Sequence, residues 1–368
     1  MRIALVHDYL SQQGGAERVL KVFSEMYPEA PIFVLFYDEE KMGHIFDSKR
    51  IKSSVLQKMP AIKHRYQWYL PLMPIATESY DLSDFDVVLS STSAFAKGVL
   101  TRPHTTHFSY CHTPTRYLWS DSHSYIKELS VPTLVKKWIL PSVLNKLRVW
   151  DRMAADRVDY FIANSQAVAG RIKKYYHRAS TVIYPPVDTD NFYISKPEDF
   201  YLIGGRLVSY KRYDLVVRAF NRLGIKLYIF GEGPAKEYLQ SIAKPNIHFL
   251  GKVNEMVKQE LYSKCLAFLY PQEEDFGITA VETMAAGRPV IALPKGGALE
   301  TIIPGVTGEF IEDQTWEDIV GEIIRFQPER YSSQIIREHA KRFDVAVFKD
   351  SIKNFIQKSQ NPDYGRNF

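Results

Sequence analysis

The feature that most constrains this chain is an alternation, repeated in two halves, of short apolar runs with stretches of helical periodicity. In the first half strands are expected at Arg2 to Val6, Ile32 to Phe36, Val87 to Ser90, Thr106 to Cys111, Tyr160 to Ala163 and Thr181 to Ile183. Helices are expected between them at Ala16 to Met26, Leu144 to Ala155 and Gln166 to Tyr175. The pattern breaks at Tyr184-Pro185-Pro186-Val187-Asp188, where adjacent prolines suit an extended linker. It restarts with Tyr201 to Ile203, Leu227 to Phe230, His248 to Leu250, Ala267 to Tyr270 and Val290 to Ala292, each followed by turn residues and helical sequence. Alternation of this kind builds parallel sheets covered on both faces, with ligands at the carboxyl ends of the strands. At 368 residues the chain exceeds the size at which one core usually splits. The expectation is an α/β protein with two Rossmann-like parallel-sheet domains facing a central cleft. They would span residues 1–185 and 186–345, with 346–368 a helix packing back on the N-terminal domain and a loose tail.

Composition excludes several classes. With 45% apolar and 24% charged residues the chain is an ordinary globular protein. Cys111 and Cys265 both lie in apolar runs, which suits reduced core thiols rather than a disulfide framework. Ile3 to Val6 gives way at once to His7, Asp8 and polar Ser11 to Gln13, so no signal peptide is expected, and no apolar run is long enough to span a bilayer. A net charge of +5 is modest for this length, and no nucleic-acid module, repeat or low-complexity segment is visible, so no nucleic-acid partner is expected. The expected location is the cytoplasm, with one qualification. In Lys127 to Arg157, the cations Lys136, Lys137, Lys146, Arg148 and Arg152 intermix with Leu134, Trp138, Ile139, Leu140, Leu144 and Trp150. Such a segment either lies on an anionic membrane surface or forms an amphipathic helix pair on its own domain, with Pro141 marking a break. Lys63 to Trp68 carries the same two readings.

Two segments in the second half point to chemistry. In Pro271-Gln272-Glu273-Glu274-Asp275-Phe276-Gly277-Ile278-Thr279-Ala280-Val281-Glu282, a buried strand precedes a turn at Gly277 and a helix running from Ile278 to Ala286. The first free amides of that helix, near Ile278 and Thr279, favour an anion at the loop mouth. Glu274 on the loop and Glu282 one turn inside the helix would repel a bare phosphate. They suit a ligand with sugar hydroxyls on either side of a diphosphate, a nucleotide sugar. Upstream, Phe200-Tyr201-Leu202-Ile203-Gly204-Gly205-Arg206-Leu207-Val208-Ser209-Tyr210-Lys211-Arg212 places a glycine pair after a strand, then spaced cations. Arg206 offers a planar fork and Lys211 a compact ammonium, and together they can neutralise a diphosphate. Charge that grows on a leaving group makes the same bonds catalytic.

In these blocks the chain resembles the retaining glycosyltransferases of family four, group 1 transferases of polysaccharide biosynthesis with the GT-B fold. The paired acids separated by seven residues match Glu274 and Glu282, Gly-Arg followed by Lys matches Gly205, Arg206 and Lys211, and the glycine pair after the first strand matches Gly14 and Gly15. The blocks keep their order from residue 1 to about residue 345. The resemblance implies a donor domain at 186–345 and an acceptor-side domain at 1–185. In it Glu274, with the backbone at Phe276 and Gly277, holds the donor sugar, and Glu282 holds the ribose. The base stacks near Gly231-Glu232-Gly233 and Lys252-Val253, and the amides of Gly14 and Gly15 reach the diphosphate. His112 aligns with a family histidine that contacts the donor sugar. His7, Asp8 and Arg116 are candidates for the acceptor side, Arg116 for a phosphate as well. The catalytic set implied is thus Arg206, Lys211, Glu274 and His112.

The reaction implied is hexose transfer from a nucleoside diphosphate hexose, UDP-glucose or GDP-mannose, to a glycan or lipid-linked acceptor hydroxyl, with retention. No cofactor and no metal are expected, because Arg206 and Lys211 supply the positive charge. His104, His107, Cys111 and His112 are metal-capable types, but a strand would point His107 and Cys111 one way and His112 the other. Asp84-Phe85-Asp86 and Asp188-Thr189-Asp190 resemble metal-binding aspartate triplets and sit away from the cradle. A nucleotide-sugar epimerase of the same fold and a non-catalytic nucleotide-sugar or glycan binder remain as alternatives. A Rossmann oxidoreductase is disfavoured, since Gly231-Glu232-Gly233 lacks the third glycine of the dinucleotide fingerprint.

Overall fold

The computed structural model describes residues 1–122 and 135–359. The part of the basic segment at 127–134, Leu134 included, and the tail from 360 lie outside the described residues. The chain divides into two compact units, Met1–Tyr184 together with the chain from Lys349, and Pro185–Phe348.

The first unit is built on seven parallel strands: β1 (Ile3–His7), β2 (Ile32–Val34), β3 (Ile51–Ser53), β4 (Val87–Thr92), β5 (Thr106–Cys111), β6 (Tyr160–Ala163) and β7 (Ser180–Val182). Their order is β3-β2-β1-β4-β5-β6-β7, so the chain winds outward from β1 and then returns to its other side. That reversal leaves a crevice beyond the carboxyl ends of β1 and β4, where His7, Asp8, Ser91 and Thr92 stand. Every residue of β4 is buried, as a central strand covered on both faces requires.

Helix α1 (Gly15–Met26) follows β1 and buries Val19, Leu20, Val22 and Phe23 on one face. Helix α2 (Leu140–Asp156) starts earlier than its sequence pattern indicates, and Pro141 does not break it. Five residues of wider π-helix, Val135–Ile139, run directly into it. The wider turn that precedes Pro141 makes room for its ring and absorbs the hydrogen bond its nitrogen cannot give. Leu144, Leu147, Asp151, Ala154 and Ala155 form the buried stripe, while Trp138, Val149 and Met153 are exposed. Helix α3 (Gln166–Tyr176) is capped by Ser165, whose side chain accepts from the Val168 amide.

The second unit repeats the plan with six parallel strands: β8 (Tyr201–Gly204), β9 (Leu227–Phe230), β10 (Ile247–Gly251), β11 (Phe268–Tyr270), β12 (Val290–Ala292) and β13 (Gly308–Phe310). The order β10-β9-β8-β11-β12-β13 puts the reversal between β8 and β11. Helix α4 (Tyr213–Leu223) packs Val216, Val217 and Phe220 into a core shared with Ile319 and Ile323 of α7 (Trp316–Arg325). Helices α5 (Glu255–Lys264) and α6 (Ile278–Ala285) lead into and out of β11. After α8 (Ser333–Ala340), the last described helix, α9, runs Val345–Ser359. Its residues from Lys349 belong to the first unit, where Phe355 packs edge-on against Phe108 and Lys349 pairs with Glu25 at 3.0 Å. The linker at 184–188 is extended, and Val187 bridges to Asp344 within the second unit.

Two strands escape the sequence pattern. β3 and β13 hold three residues each at the sheet edges, and Ile51-Lys52-Ser53 and Gly308-Glu309-Phe310 contain no apolar run. Pairing with β2 and β12 makes them strands, which local composition does not encode.

Candidate active site

In the second unit the loop after β8 is shaped by close backbone contacts. A β-carbon at Gly204 would stand 2.1 Å from the Phe230 ring, and Gly205 has φ +126°, a conformation side chains rarely adopt. Gly231, with φ +114°, is pressed against the same loop, since a β-carbon there would meet the Gly205 carbonyl oxygen at 1.8 Å. The Leu207 amide donates to the Glu232 carbonyl at 2.9 Å, so the turns after β8 and β9 run side by side. Arg206 projects from this loop, exposed and without a partner among the described residues. Lys211 is buried, and its Nζ lies 2.8 Å from Glu274 Oε1. Tyr213 ties the loop down by donating to the Gly204 carbonyl at 2.8 Å.

Glu274 therefore meets the cation loop directly. Its own loop is held by Gly296 and Gly297, which follow β12. Gly296 forms a bridge with Glu274, the Gly297 amide donates to the Glu274 carbonyl at 2.9 Å, and a β-carbon on Gly297 would collide with the Phe276 backbone at 2.3 Å. Phe276 is buried edge-on against Phe343. Burial first, and then the Glu274 carboxylate, push the phenols of Tyr270 and Tyr213 well above their usual range. Gly277 adopts φ +94° at the start of α6, and a β-carbon there would stand 2.6 Å from Tyr270 Oη. The Ile278 and Thr279 amides, in the first turn, are ones an α-helix leaves without an internal acceptor.

Glu282 is not a solvated helix carboxylate. It is 3% exposed, because every residue of α6 from Ala280 to Ala285 is buried. Lys258 Nζ lies 3.2 Å from its Oε1, and Tyr262 Oη donates to Oε2 at 3.2 Å. Lys258 and Tyr262, four apart on one face of α5, escape sequence reasoning because a Lys-Tyr pair at that spacing is commonplace. Gly296 and Gly297 escaped it too, although consecutive glycines just past a strand end were a usable signal. Val253, two residues past β10, is half-buried.

In the first unit His7 ends β1. Its Nδ1 lies 3.0 Å from the Ser91 carbonyl and 3.2 Å from Ser91 Oγ, and its Nε2 lies 3.8 Å from Glu17 Oε1. Burial lowers its pKa, but the hydrogen bond and charge of Glu17, with Asp8 and the Ser91 carbonyl, outweigh burial and raise it. Ser91 Oγ also meets His112 Nε2 at 2.8 Å. Burial, with the His7 charge behind it, drives the His112 pKa down to about 3. Asp8 accepts from four consecutive amides, Ser93 to Ala96, at 2.7–2.9 Å, and so anchors the loop after β4. Gly14 precedes α1 in an extended conformation, and a β-carbon there would stand 2.8 Å from Glu17 Oε2, while Gly15 opens the helix. Arg116 is half-buried beside Thr115, whose hydroxyl donates to Asp151 at 2.8 Å.

The metal-capable residues do not converge: His107 Nε2 meets Ser90 Oγ at 2.9 Å, Cys111 is buried in an apolar cluster, and His112 turns to Ser91. Asp86 accepts from the Arg2 amide and Asp188 from Asn191. Among the described residues no group of three carboxylate, imidazole or thiol side chains is placed to hold a metal.

Two doubly wound parallel-sheet units, each with its ligand-type residues at the strand ends, define the class: α/β proteins of the GT-B glycosyltransferase fold. Solved structures share that fold across the chain. Anabaena Alr3699/HepE in complex with UDP is 18% identical with a TM-score of 0.69, covering 97% of this chain and 100% of that one. The lipopolysaccharide outer core galactosyltransferase WaaB is 20% identical with a TM-score of 0.67, covering 98% and 100%. The family model for Glycosyltransferase Family 4 matches residues 13–191, and that for group 1 glycosyl transferases matches residues 188–343. The chain belongs to glycosyltransferase family four. Among curated relatives, the alpha-1,3/1,6-mannosyltransferase ALG2 of Dictyostelium discoideum is 25% identical over 86% of this chain and 82% of its own length. The uncharacterized glycosyltransferase MJ1178 of Methanocaldococcus jannaschii is 25% identical over 54% of this chain, and the match spans 58% of that relative. D-inositol 3-phosphate glycosyltransferase of Mycolicibacterium smegmatis is 25% identical over 55% of this chain and 54% of its own length.

Proposed function

We propose that the chain transfers a hexose from a nucleoside diphosphate hexose to a hydroxyl of a glycan or lipid-linked oligosaccharide, with retention at the anomeric carbon. The observation that carries this reading is the 2.8 Å contact of Lys211 with Glu274, which joins the cation loop to the helix start at Gly277. Arg206, Lys211 and the Ile278 and Thr279 amides then take the diphosphate and stabilise its charge as it leaves. Glu274, with the backbone at Phe276 and Gly277, takes sugar hydroxyls, and Glu282 takes the ribose. Gly231 and Val253 border the base, and His112, Gly14 and Gly15 act from the first unit. The incoming hydroxyl attacks on the face the diphosphate leaves, and its proton passes to the leaving phosphate oxygen. Two cations supply the compensating charge, so the scheme requires no metal.

The donor is UDP-glucose or GDP-mannose. Crystals of Alr3699/HepE with UDP-glucose support the first, and the mannosyltransferase names among the relatives support the second. Calorimetric titration with each donor, without added metal, on the wild type, Arg206→Ala and Glu282→Ala tests the reading. Binding of one donor, weakened by both substitutions, is the expected result. Failure of a broad nucleotide-sugar panel would overturn it.

Peripheral attachment to the cytoplasmic membrane face is part of the same proposal. It is supported by exposed Trp138 and Met153 beside Lys137 and Lys146, and by exposed Trp68 with the Arg65 guanidinium 4.5 Å from its ring. No described helix is long and apolar enough to cross a membrane. Flotation with anionic vesicles, lost on charge reversal at Lys137 and Lys146, is expected, and a protein that stays below the vesicles would sink the idea.

A further inference from the structure

The first unit holds a buried polar chain that joins His7 to His112, and the proposed reaction gives two of its members, Glu17 and Ser91, no task. Glu17, His7, Ser91 and His112 come from α1, β1, β4 and the end of β5, and their side chains are 0–9% exposed. The contacts run Glu17 Oε1 to His7 Nε2 at 3.8 Å, His7 Nδ1 to Ser91 at 3.0 and 3.2 Å, and Ser91 Oγ to His112 Nε2 at 2.8 Å. β1 and β4 are paired in register with His7 opposite Ser91, so sheet geometry rather than a mobile loop sets the first join.

The proton positions follow from the partners. A carbonyl oxygen only accepts, so Nδ1 of His7 carries a proton and donates to Ser91. Glu17 faces the other ring nitrogen and Asp8 adjoins it, which favours a proton on Nε2 as well. His7 then has no lone pair to offer the Ser91 hydroxyl. That hydroxyl accepts from His7 and is placed to give its own proton to Nε2 of His112. A neutral His112 that accepts at Nε2 carries its hydrogen on Nδ1.

We propose that Glu17, His7 and Ser91 are positioning residues that fix His112 as a neutral imidazole presenting its Nδ1–H as a donor. Resting on the reading in which His112 contacts the donor sugar, this gives the contact a direction: His112 donates to a sugar hydroxyl or phosphate oxygen and takes no proton from it. The groups facing the chain agree. His112 is held neutral by burial, with the His7 charge behind it, and Glu17 and Asp8 raise the pKa of His7 against its burial. Gly14 belongs to the arrangement too, since any larger residue would press on Glu17 Oε2 and shift the chain at its acidic end.

The test reads the tautomer directly. In nitrogen-15 imidazole spectra of the whole protein, His112 is expected as the neutral Nδ1–H form from about pH 5 to about pH 8. Ser91→Ala should convert it to a mixture or to the Nε2–H form, and Glu17→Gln, which keeps size and removes charge, should shift the His7 signals toward neutrality. A wild-type His112 protonated on Nε2, or one unchanged by Ser91→Ala, overturns the proposal. Turnover of whichever of UDP-glucose or GDP-mannose binds supplies the second arm. Ser91→Ala and Glu17→Gln should each lower kcat about tenfold with little change in KM, and neither should add to the loss in His112→Ala. Equal losses in the presence and absence of His112 would mark a purely structural role. If His112→Ala turns over like the wild type, the donor-contact reading fails while the tautomer spectrum still decides the chain.

Discussion

Lys211 and Glu274 form a close ion pair, 2.8 Å apart, and Lys211 is nearly buried. The two residues have opposite tasks toward a diphosphate sugar, one attracting the phosphates and the other suited only to hydroxyls. Paired, each neutralises the other, so a diphosphate must compete with Glu274 for the ammonium before the carboxylate is free for the sugar.

The pair predicts opposite responses to UDP or GDP, which carry no sugar. Lys211→Ala should weaken nucleoside diphosphate binding by roughly 10–100-fold, the equivalent of one charge-assisted hydrogen bond. Glu274→Gln should leave it unchanged or tighten it severalfold, while transfer falls by about two orders of magnitude or more. Calorimetry beside a transfer assay checks both, and a Glu274→Gln protein that binds UDP and GDP more weakly would refute the arrangement.

Glu282 supports a second contrast. With Lys258 on one oxygen and Tyr262 on the other, the carboxylate is fixed in direction, and since a carboxylate oxygen accepts more than one donor, a ribose hydroxyl can join them. The wild type should therefore prefer the ribose form of its nucleoside diphosphate over the dideoxy form by about tenfold or more, and Glu282→Gln should lose most of that preference. Removing one partner of a buried ion pair costs about 3–5 kcal/mol. Glu282→Ala should cost less than that, because Lys258 keeps Glu255 at 2.6 Å. Competition titrations with the two nucleotides and urea unfolding measure the two effects separately.

What the sequence made legible follows from how local each signal is. Strands such as Leu227–Phe230 and Val290–Ala292 stand out because a run of apolar residues is self-contained, whereas β3 and β13 are strands only through their neighbours. Glu274 and Glu282 are visible because their spacing belongs to one loop and one helix turn. The residues that hold them act through tertiary placement: Lys258 and Tyr262 carry no local mark, and the Gly296-Gly297 pair marks a turn without saying which loop it meets. Asp8 shows the reverse case. The resemblance offers it for the acceptor side, and the fold shows a second task the sequence does not mark, both of its oxygens taking four backbone amides. The burial of Glu282 was equally invisible, since one carboxylate in a short helix carries no local sign that neighbouring elements will cover it.

Glycines separate conformational strain from crowding. Gly224 and Gly231 both have positive φ, +72° and +114°, but a β-carbon at Gly224 meets nothing within 4 Å while one at Gly231 meets the Gly205 carbonyl oxygen at 1.8 Å. Gly224→Ala should cost about 1 kcal/mol, from backbone strain alone, with donor binding intact. Gly231→Ala must also push the Gly205-Arg206 turn aside, so it should cost about 3 kcal/mol or more and weaken nucleoside diphosphate binding. Urea midpoints and UDP or GDP titrations of the two variants, run side by side, check the separation. Equal effects at the two positions would mean that the β8 and β9 turns are not in contact.

The histidines of the first unit predict the acid limb of stability. Burial, with the charge of Arg157 added, lowers the His107 pKa from 6.5 to about 3, and burial with the His7 charge lowers that of His112 to about 3. Both rings therefore stay neutral in the fold between about pH 3 and about pH 6.5 and become protonated on unfolding. The unfolded chain binds more protons across that window, so stability rises with pH through it and is lost as pH falls, with a slope approaching about 1.4 kcal/mol per pH unit for each group. His7 has the opposite sign, since its raised pKa contributes stability that is present at low pH and is lost as pH rises through the folded value. Replacing His107 by Gln, which can still bond Ser90, should flatten the acid limb by about one group's slope and leave stability above about pH 7 little changed. Urea unfolding of both proteins between about pH 4 and about pH 8 measures it, and an acid limb equally steep in His107→Gln would mean that His107 is not held neutral by its burial.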